Sequence, residues 1–204
     1  MEGLTALAPA KGRPREFDID VALAAALRVF WQRGYEGASL SDLTSEMGIT
    51  RPSLYAAFGN KEMLFRKAFD LYEREKMAYM KTALDAPTAR GVAERLLRSA
   101  VDIHCGTDDP RGCLGVISSL ACGQEAESIR AEVIARRVSA EAALIARFER
   151  ALAEGDFPTG VEPGALAHYL IAILQGMAVQ AGVGASRVQL EQLVETSLIV
   201  WPGR

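Results

Sequence analysis

Histidine and cysteine are scarce in this chain, with two of the first and three of the second in 204 residues. Cys105, Cys113 and Cys122 are an odd number and lack the paired spacing of a metal cage. No metal and no cofactor is therefore expected, and the thiols suit a reduced, cytoplasmic protein. A Cys–His nucleophile built from His104 with Cys105 or Cys113 lacks an orienting third group, so the chain is not read as an enzyme. His168, inside an apolar stretch, reads as a satisfied core or pocket histidine. Long hydrophobic runs are missing too. The most apolar stretch, Tyr169 to Leu174, is followed by Gln175 and Gln180, short of the roughly 20 apolar residues of a membrane span. The N-terminus has no apolar run after its basic residues, so no signal peptide and no membrane partner is expected. Period-2 alternation and β-branched clusters are also absent, which excludes a sheet protein and leaves an all-α chain.

What is present is helical punctuation, densest between Ser39 and Lys61. Ser39 caps a short helix, with Asp42 completing an S-x-x-D box, and Leu40, Leu43 and Met47 lie on one face. Gly48 stops that helix because glycine enters the left-handed region without steric cost. Ile49 fills the corner, and Thr50 caps a second helix with Arg51 and Pro52 in its first turn. Leu54 and Phe58 face inward, leaving Arg51, Ser53, Tyr55 and Ala56 outward. Two helices joined by a Gly-containing turn are a helix-turn-helix, whose second helix fits the DNA major groove. The formal charge of −3 does not oppose this, because Lys11, Arg13, Arg15, Arg51 and Lys61 concentrate basic charge on the segments that would meet phosphate.

These residues resemble the DNA-binding head of the TetR family of bacterial transcriptional regulators, over about Phe17 to Phe69. The matching elements are the lead Gly34, Tyr35 and Ser39, the Gly48–Thr50 turn, the Leu54-Tyr55-x-x-Phe58 core and the Lys61–Phe65 entry to the next helix. Two departures are Thr44, where the family usually has alanine, and Ala56-Ala57, which replace a His/Tyr-type pair whose contacts are not carried over. The resemblance implies phosphate contacts for Tyr55 and Lys61. It also implies a homodimeric repressor of a pseudo-palindromic operator, released by a small-molecule effector.

Physical chemistry assigns the remaining candidates. Arg51 and Ser53 are placed to reach base edges, since arginine can bond guanine O6 and N7 together. Lys61 lies at a helix N-terminus whose free N–H groups also attract phosphate. Ser39 reads equally as a cap and as a phosphate donor. Lys11 to Arg15 (KGRPR) reads either as a minor-groove arm, with Arg13 and Arg15 inserted, or as a solvated tail.

The rest of the chain divides into an N-terminal arm (1–16), the DNA head (17–64) and a ligand-binding and dimerisation domain (65–204). Further helices are expected from Asn60 to about Leu84, Pro87 to His104, Gly112 to Gly123, Glu125 to Glu154, Gly164 to Gly182 and Ser186 to Trp201. An effector pocket is expected around Ile103 and His104, Cys113, Val116, Ile117 and Leu120, with Leu144 and Phe148 on one side and Tyr169, Ile173 and Met177 on another. The last two helices read as the dimer interface, through Ala172, Gly176 and Val179 and then Leu190, Leu193, Val194, Ser197, Leu198 and Trp201. The alternatives left open are an architectural DNA-binding protein and a redox-sensing regulator that uses Cys105, Cys113 or Cys122.

Overall fold

The computed structural model describes residues 17–106, 109–120, 123, 126–158 and 160–203; Arg13, Arg15 and Cys122 lie outside them. Ten α-helices occupy the described residues and no strand is found among them. They are α1 (Ile19–Gly37), α2 (Leu40–Met47), α3 (Arg51–Phe58), α4 (Lys61–Lys76), α5 (Ala78–Ala83), α6 (Ala89–His104), α7 (Leu114–Ser119), α8 (Glu127–Ala153), α9 (Pro163–Gly182) and α10 (Arg187–Ile199).

The starts are set by side-chain caps that satisfy otherwise orphaned N–H groups. Asp18 caps α1, Asn60 caps α4, Thr88 caps α6, and Glu162 caps α9 ahead of Pro163. Ser186 and Gln189 form a capping box on α10. One expected helix divides. The segment after Asn60 breaks at Met77 (φ −107°, ψ 2°), so α4 and α5 replace a single helix to Leu84. Neither glycine nor proline marks the break in the sequence.

Two hydrophobic cores result. The first unites α1 to α4 with Leu114 of α7 and Ile129 and Val133 of α8. At its centre Phe30, Trp31, Tyr35, Phe65, Phe69 and Tyr72 form edge-on and stacked ring contacts, each worth about 0.5–1.5 kcal/mol beyond area burial. Residues 64–72 of α4 thus pack with the DNA head, so the expected boundary at residue 64 falls within a continuous helix. The second core joins α5, α6, the C-terminal half of α8, α9 and α10 around Leu96, Leu97, Phe148, Leu170 and Leu190. Arg147, buried there, donates from Nε to the carbonyl of Leu84 (3.1 Å) and from Nη2 to that of Ala86 (2.7 Å), tying down the corner between α5 and α6. α9 is long and apolar enough to cross a membrane by length and composition. Its inward side is buried against α6 and α8.

Candidate nucleic-acid interface and ligand cavity

The reading head is built from local hydrogen bonds. The hydroxyl of Ser39 accepts from the Asp42 amide (3.0 Å) and donates to its carboxylate (2.7 Å), while the Ser39 amide donates to the same carboxylate (3.1 Å). These bonds hold the Asp42 carboxyl below the usual carboxylate range, helped by Arg33 3.1 Å away. Among the described residues, both hydrogen bonds of the Ser39 hydroxyl belong to the cap. Gly48 ends α2 in the left-handed region (φ 64°). A side chain there would be strained, though a Cβ would meet nothing within 4 Å. Thr50 then caps α3, accepting from the Ser53 amide (3.3 Å) with its oxygen 3.0 Å from the Ser53 hydroxyl.

On α3, Leu54 and Phe58 are buried and Arg51, Pro52, Tyr55 and Ala56 are exposed, with Ser53 partly so. Arg51 makes no ion pair among the described residues, so its five donors are not committed to a carboxylate. Lys61, in the first turn of α4, places Nζ 4.6 Å from the ring centroid of Tyr35. Tyr35 is buried. Its ring is a contact that the family pattern alone did not identify, and it fixes the lysine over the end of α1. The structure brings Ser39, Thr50, Arg51, Ser53, Tyr55 and Lys61 onto the α2–α4 head as the sequence places them.

A cavity of about 750 Å³ lies between α4, α5, α6, α7, α8 and α9. Phe69, Tyr72 and Glu73 come from α4, and Met77 to Lys81 form a continuous wall made possible by the break between α4 and α5. α8 contributes a face at helical spacing, Val133, Arg136, Arg137, Ala140 and Leu144, and α9 contributes Ile171, Leu174, Gln175 and Ala178. At the inner end, the Tyr72 hydroxyl donates to Cys113 Sγ (3.3 Å). Burial pushes the phenols of Tyr72 and Tyr79 up, with the neighbouring Cys113 adding to it, so both remain protonated donors. His104 is buried, which pushes its imidazole down, and its Nδ1 lies 3.2 Å from the Gly112 carbonyl. Trp31 Nε1 donates to that carbonyl (3.0 Å), so one backbone oxygen joins the cavity histidine to α1. A second hollow of about 730 Å³, bounded by Arg98, Val188, Glu191 and Glu195, is an open groove on the outer surface rather than a chamber.

Of the expected pocket residues, His104, Cys113, Val116 and Leu144 line the cavity. The others do not. Ile103 packs on the first core, Phe148 and Met177 are fully buried in the second, and Leu120 is 68 % exposed. Ile117 faces Gly34 in α1, where its Cγ2 would stand 3.1 Å from an added Cβ. Tyr169 and Ile173 lie on other faces of α9 from the lining set, an error of helical phase that apolar composition could not resolve because α9 is apolar nearly all round. Phe69, Tyr72 and Arg136, on α4 and α8, were missed, and so was Tyr79, which lies just beyond the unmarked break at Met77. Among the described residues no cluster of histidine, cysteine and carboxylates is arranged to hold a metal.

The expected interface residues on α10 are also differently placed. Leu190, Val194, Ser197, Leu198 and Trp201 are buried inside the protomer's own second core, with Leu193 packed beside them, because α10 lies against α6. Ala172 and Val179 are exposed and Gly176 is half-buried on the outer face of α9.

A compact helix-turn-helix with an exposed, cap-initiated second helix, joined through α4 to a cavity-bearing helical domain, defines a DNA-binding regulator. Residues 22–68 match the family model for bacterial regulatory proteins of the tetR family. The chain is 32% identical over 194 residues to the HTH-type transcriptional repressor ComR of Escherichia coli K12, covering 94% of this chain and 92% of that protein. A cysteine-substituted variant of the TetR family transcriptional regulator CifR, solved with 26-base-pair operator DNA, superposes with a TM-score of 0.87 at 42% identity, over 93% of this chain and 100% of that one. A putative TetR regulator from Rhodococcus sp. RHA1 superposes with a TM-score of 0.63 at 38% identity, over 90% and 99%. The chain belongs to the TetR family of bacterial transcriptional regulators, and it is a helix-turn-helix DNA-binding protein.

Proposed function

We propose that this protein is a cytoplasmic transcriptional repressor that binds a pseudo-palindromic operator as a homodimer and is released by a small molecule held in the α4–α9 cavity. The observation that carries the reading is a shared helix. α4 begins with DNA-facing Lys61 and supplies Phe69, Tyr72 and Glu73 to the cavity wall. The largely apolar chamber, with polar groups at Tyr72, Tyr79, His104 and Gln175 and charged ones at Glu73, Lys81, Arg136, Arg137 and Glu141, has the composition and size of a small-molecule site. An occupant needs only to favour the arrangement of α4 that fits DNA poorly; a coupling of about 1–3 kcal/mol changes operator affinity roughly 5–150-fold.

The test is a titration of the purified protein against its own upstream DNA and random DNA of equal length, at near-physiological salt. A regulator prefers the former by about a thousandfold or more. Equal affinity for the two would replace it with an architectural DNA-binding protein. A redox-sensing reading is favoured by one contact, the Tyr72–Cys113 bond inside the cavity. On that reading peroxide would lower operator affinity, and Cys113→Ser would abolish the response; an unchanged response in the variant would remove it.

A further inference from the structure

α4 and α8 run parallel, and long charged side chains bridge them over three successive turns. At the lowest rung the Ser128 hydroxyl donates to Glu62 (2.6 Å). Arg66 then bonds Glu62 on its own helix (2.7 Å) and Glu132 across the gap (2.6 Å). Arg136 closes the top, reaching Glu132 (2.6 Å), Asp70 (2.7 Å) and Glu73 (2.5 Å), with its guanidinium 5.4 Å from the centroid of the Phe69 ring. Two arginines thus serve four carboxylates, and Glu132 links both arginines.

The ends of the ladder lie at two different sites. Arg136 and Glu73 are part of the cavity wall. Glu62 directly follows Lys61 in the turn capped by Asn60. From Glu62 to Glu73 the ladder spans about 17 Å of helix. Asp70 is 58% exposed, but the central groups are more sheltered, with Arg136 at 29% and Glu132 at 30%. They are therefore screened less by salt than free surface pairs. Burial pushes the Glu132 carboxyl up, yet the hydrogen bonds from Arg66 and Arg136 hold it below its ordinary range.

We propose that Glu132, Arg66 and Arg136 are positioning residues for DNA binding, fastening α4 to α8 so that Lys61 is presented to the phosphate backbone in a fixed register. None of them needs to touch DNA. An occupant that pushes Arg136 from the cavity wall would loosen the ladder at its far end; that consequence alone rests on the effector reading of the cavity.

Charge and geometry make opposite forecasts for one variant. Removing a carboxylate from a DNA-binding protein raises affinity if its only influence is repulsion of phosphate. Glu132→Gln instead breaks the central rung. In the full-length protein, without any effector, it is expected to lower operator affinity about 5-fold or more. Hydrogen exchange of the amides of residues 62–66 should quicken, with the melting temperature close to the parent's. Glu127→Gln is the control: it makes the same change of charge on the same helix, at a side chain 68% exposed and 3.9 Å from Arg130. It is expected to leave affinity unchanged or slightly raised. Arg66→Met should weaken binding, and adding Glu132→Gln to it should cost no more than about a further 2-fold, because both changes break the same bond between α4 and α8, while the Glu132–Arg136 bond lies within α8. Glu132→Gln behaving like Glu127→Gln, or independent losses that multiply in the double variant, would overturn the proposal. Since no effector enters these measurements, their failure is separate from any failure of the cavity reading.

Discussion

At the scale of single residues, the contacts on the head separate by chemistry. Arg51 is exposed, lies at the start of the recognition helix and is uncommitted to a carboxylate among the described residues, so it suits a bidentate contact with a base edge. Lys61 is a point charge held over the Tyr35 ring and suits a phosphate. Arg51→Ala should cost about 1–3 kcal/mol and relax preference at one position per half-site, measured by binding to a set of single-base operator variants. Lys61→Ala should weaken binding to all of them alike and reduce the salt slope by about one. An equal loss on every variant with Arg51→Ala would remove its reading role. His104 makes a pH prediction. Burial lowers its folded-state pKa, so below about 6.5 the unfolded chain takes up a proton that the folded one resists. Its presence therefore makes stability fall as pH drops from about 6.5 towards the lower folded value. His104→Gln should flatten urea-derived stability between about pH 7 and pH 5; an unchanged profile would mean that the imidazole protonates freely in place.

At the scale of elements, what could be read from the chain was what local chemistry determines. Ser39, Gly48, Thr50 and Asn60 are caps and stops whose function is completed within a few residues, and the helix ends they mark stand where expected. The break at Met77 carries no local signal, and with it went the cavity wall from Met77 to Lys81. Helical phase failed where apolarity surrounds the helix, as on α9. Val116 of α7, expected at an effector pocket, lines the cavity. Because it borders open space, Val116→Trp should lower unfolding free energy by well under 1 kcal/mol, whereas a closed core would be strained by about 1–3 kcal/mol. Chemical denaturation distinguishes the two, and a loss in the upper range would mean that the chamber is not available to an occupant of indole size.

At the scale of the whole molecule, the outer face of α9 and α10 is the surface left uncovered. Val179, Val183, Val188 and Ile199 are between 51% and 83% exposed. By helical spacing Val179 and Val183 share a face of α9 with Ala172 and Gly176, and Val188 and Ile199 share a face of α10. On the proposed reading, a homodimer on a pseudo-palindrome needs two heads about one helical turn of DNA apart, and this apolar face is the one proposed to receive the second copy. The inward residues of α10 cannot serve, because Leu198 and its neighbours already fill the protomer's core. Two substitutions therefore separate folding from association. Leu198→Glu places a charge in that core and should abolish folding. Gly176→Glu meets no atom within 4 Å of its Cβ in the protomer, and replacing a mid-helix glycine should, if anything, favour the helix. In a dry dimer interface the same charge would be unpaired and strongly unfavourable. Gly176→Glu should thus remain helical and cooperative in melting yet sediment as a monomer at micromolar concentration, with operator affinity reduced to that of one half-site. A Gly176→Glu protein that stays dimeric while Leu198→Glu unfolds would move the interface to another face of the molecule.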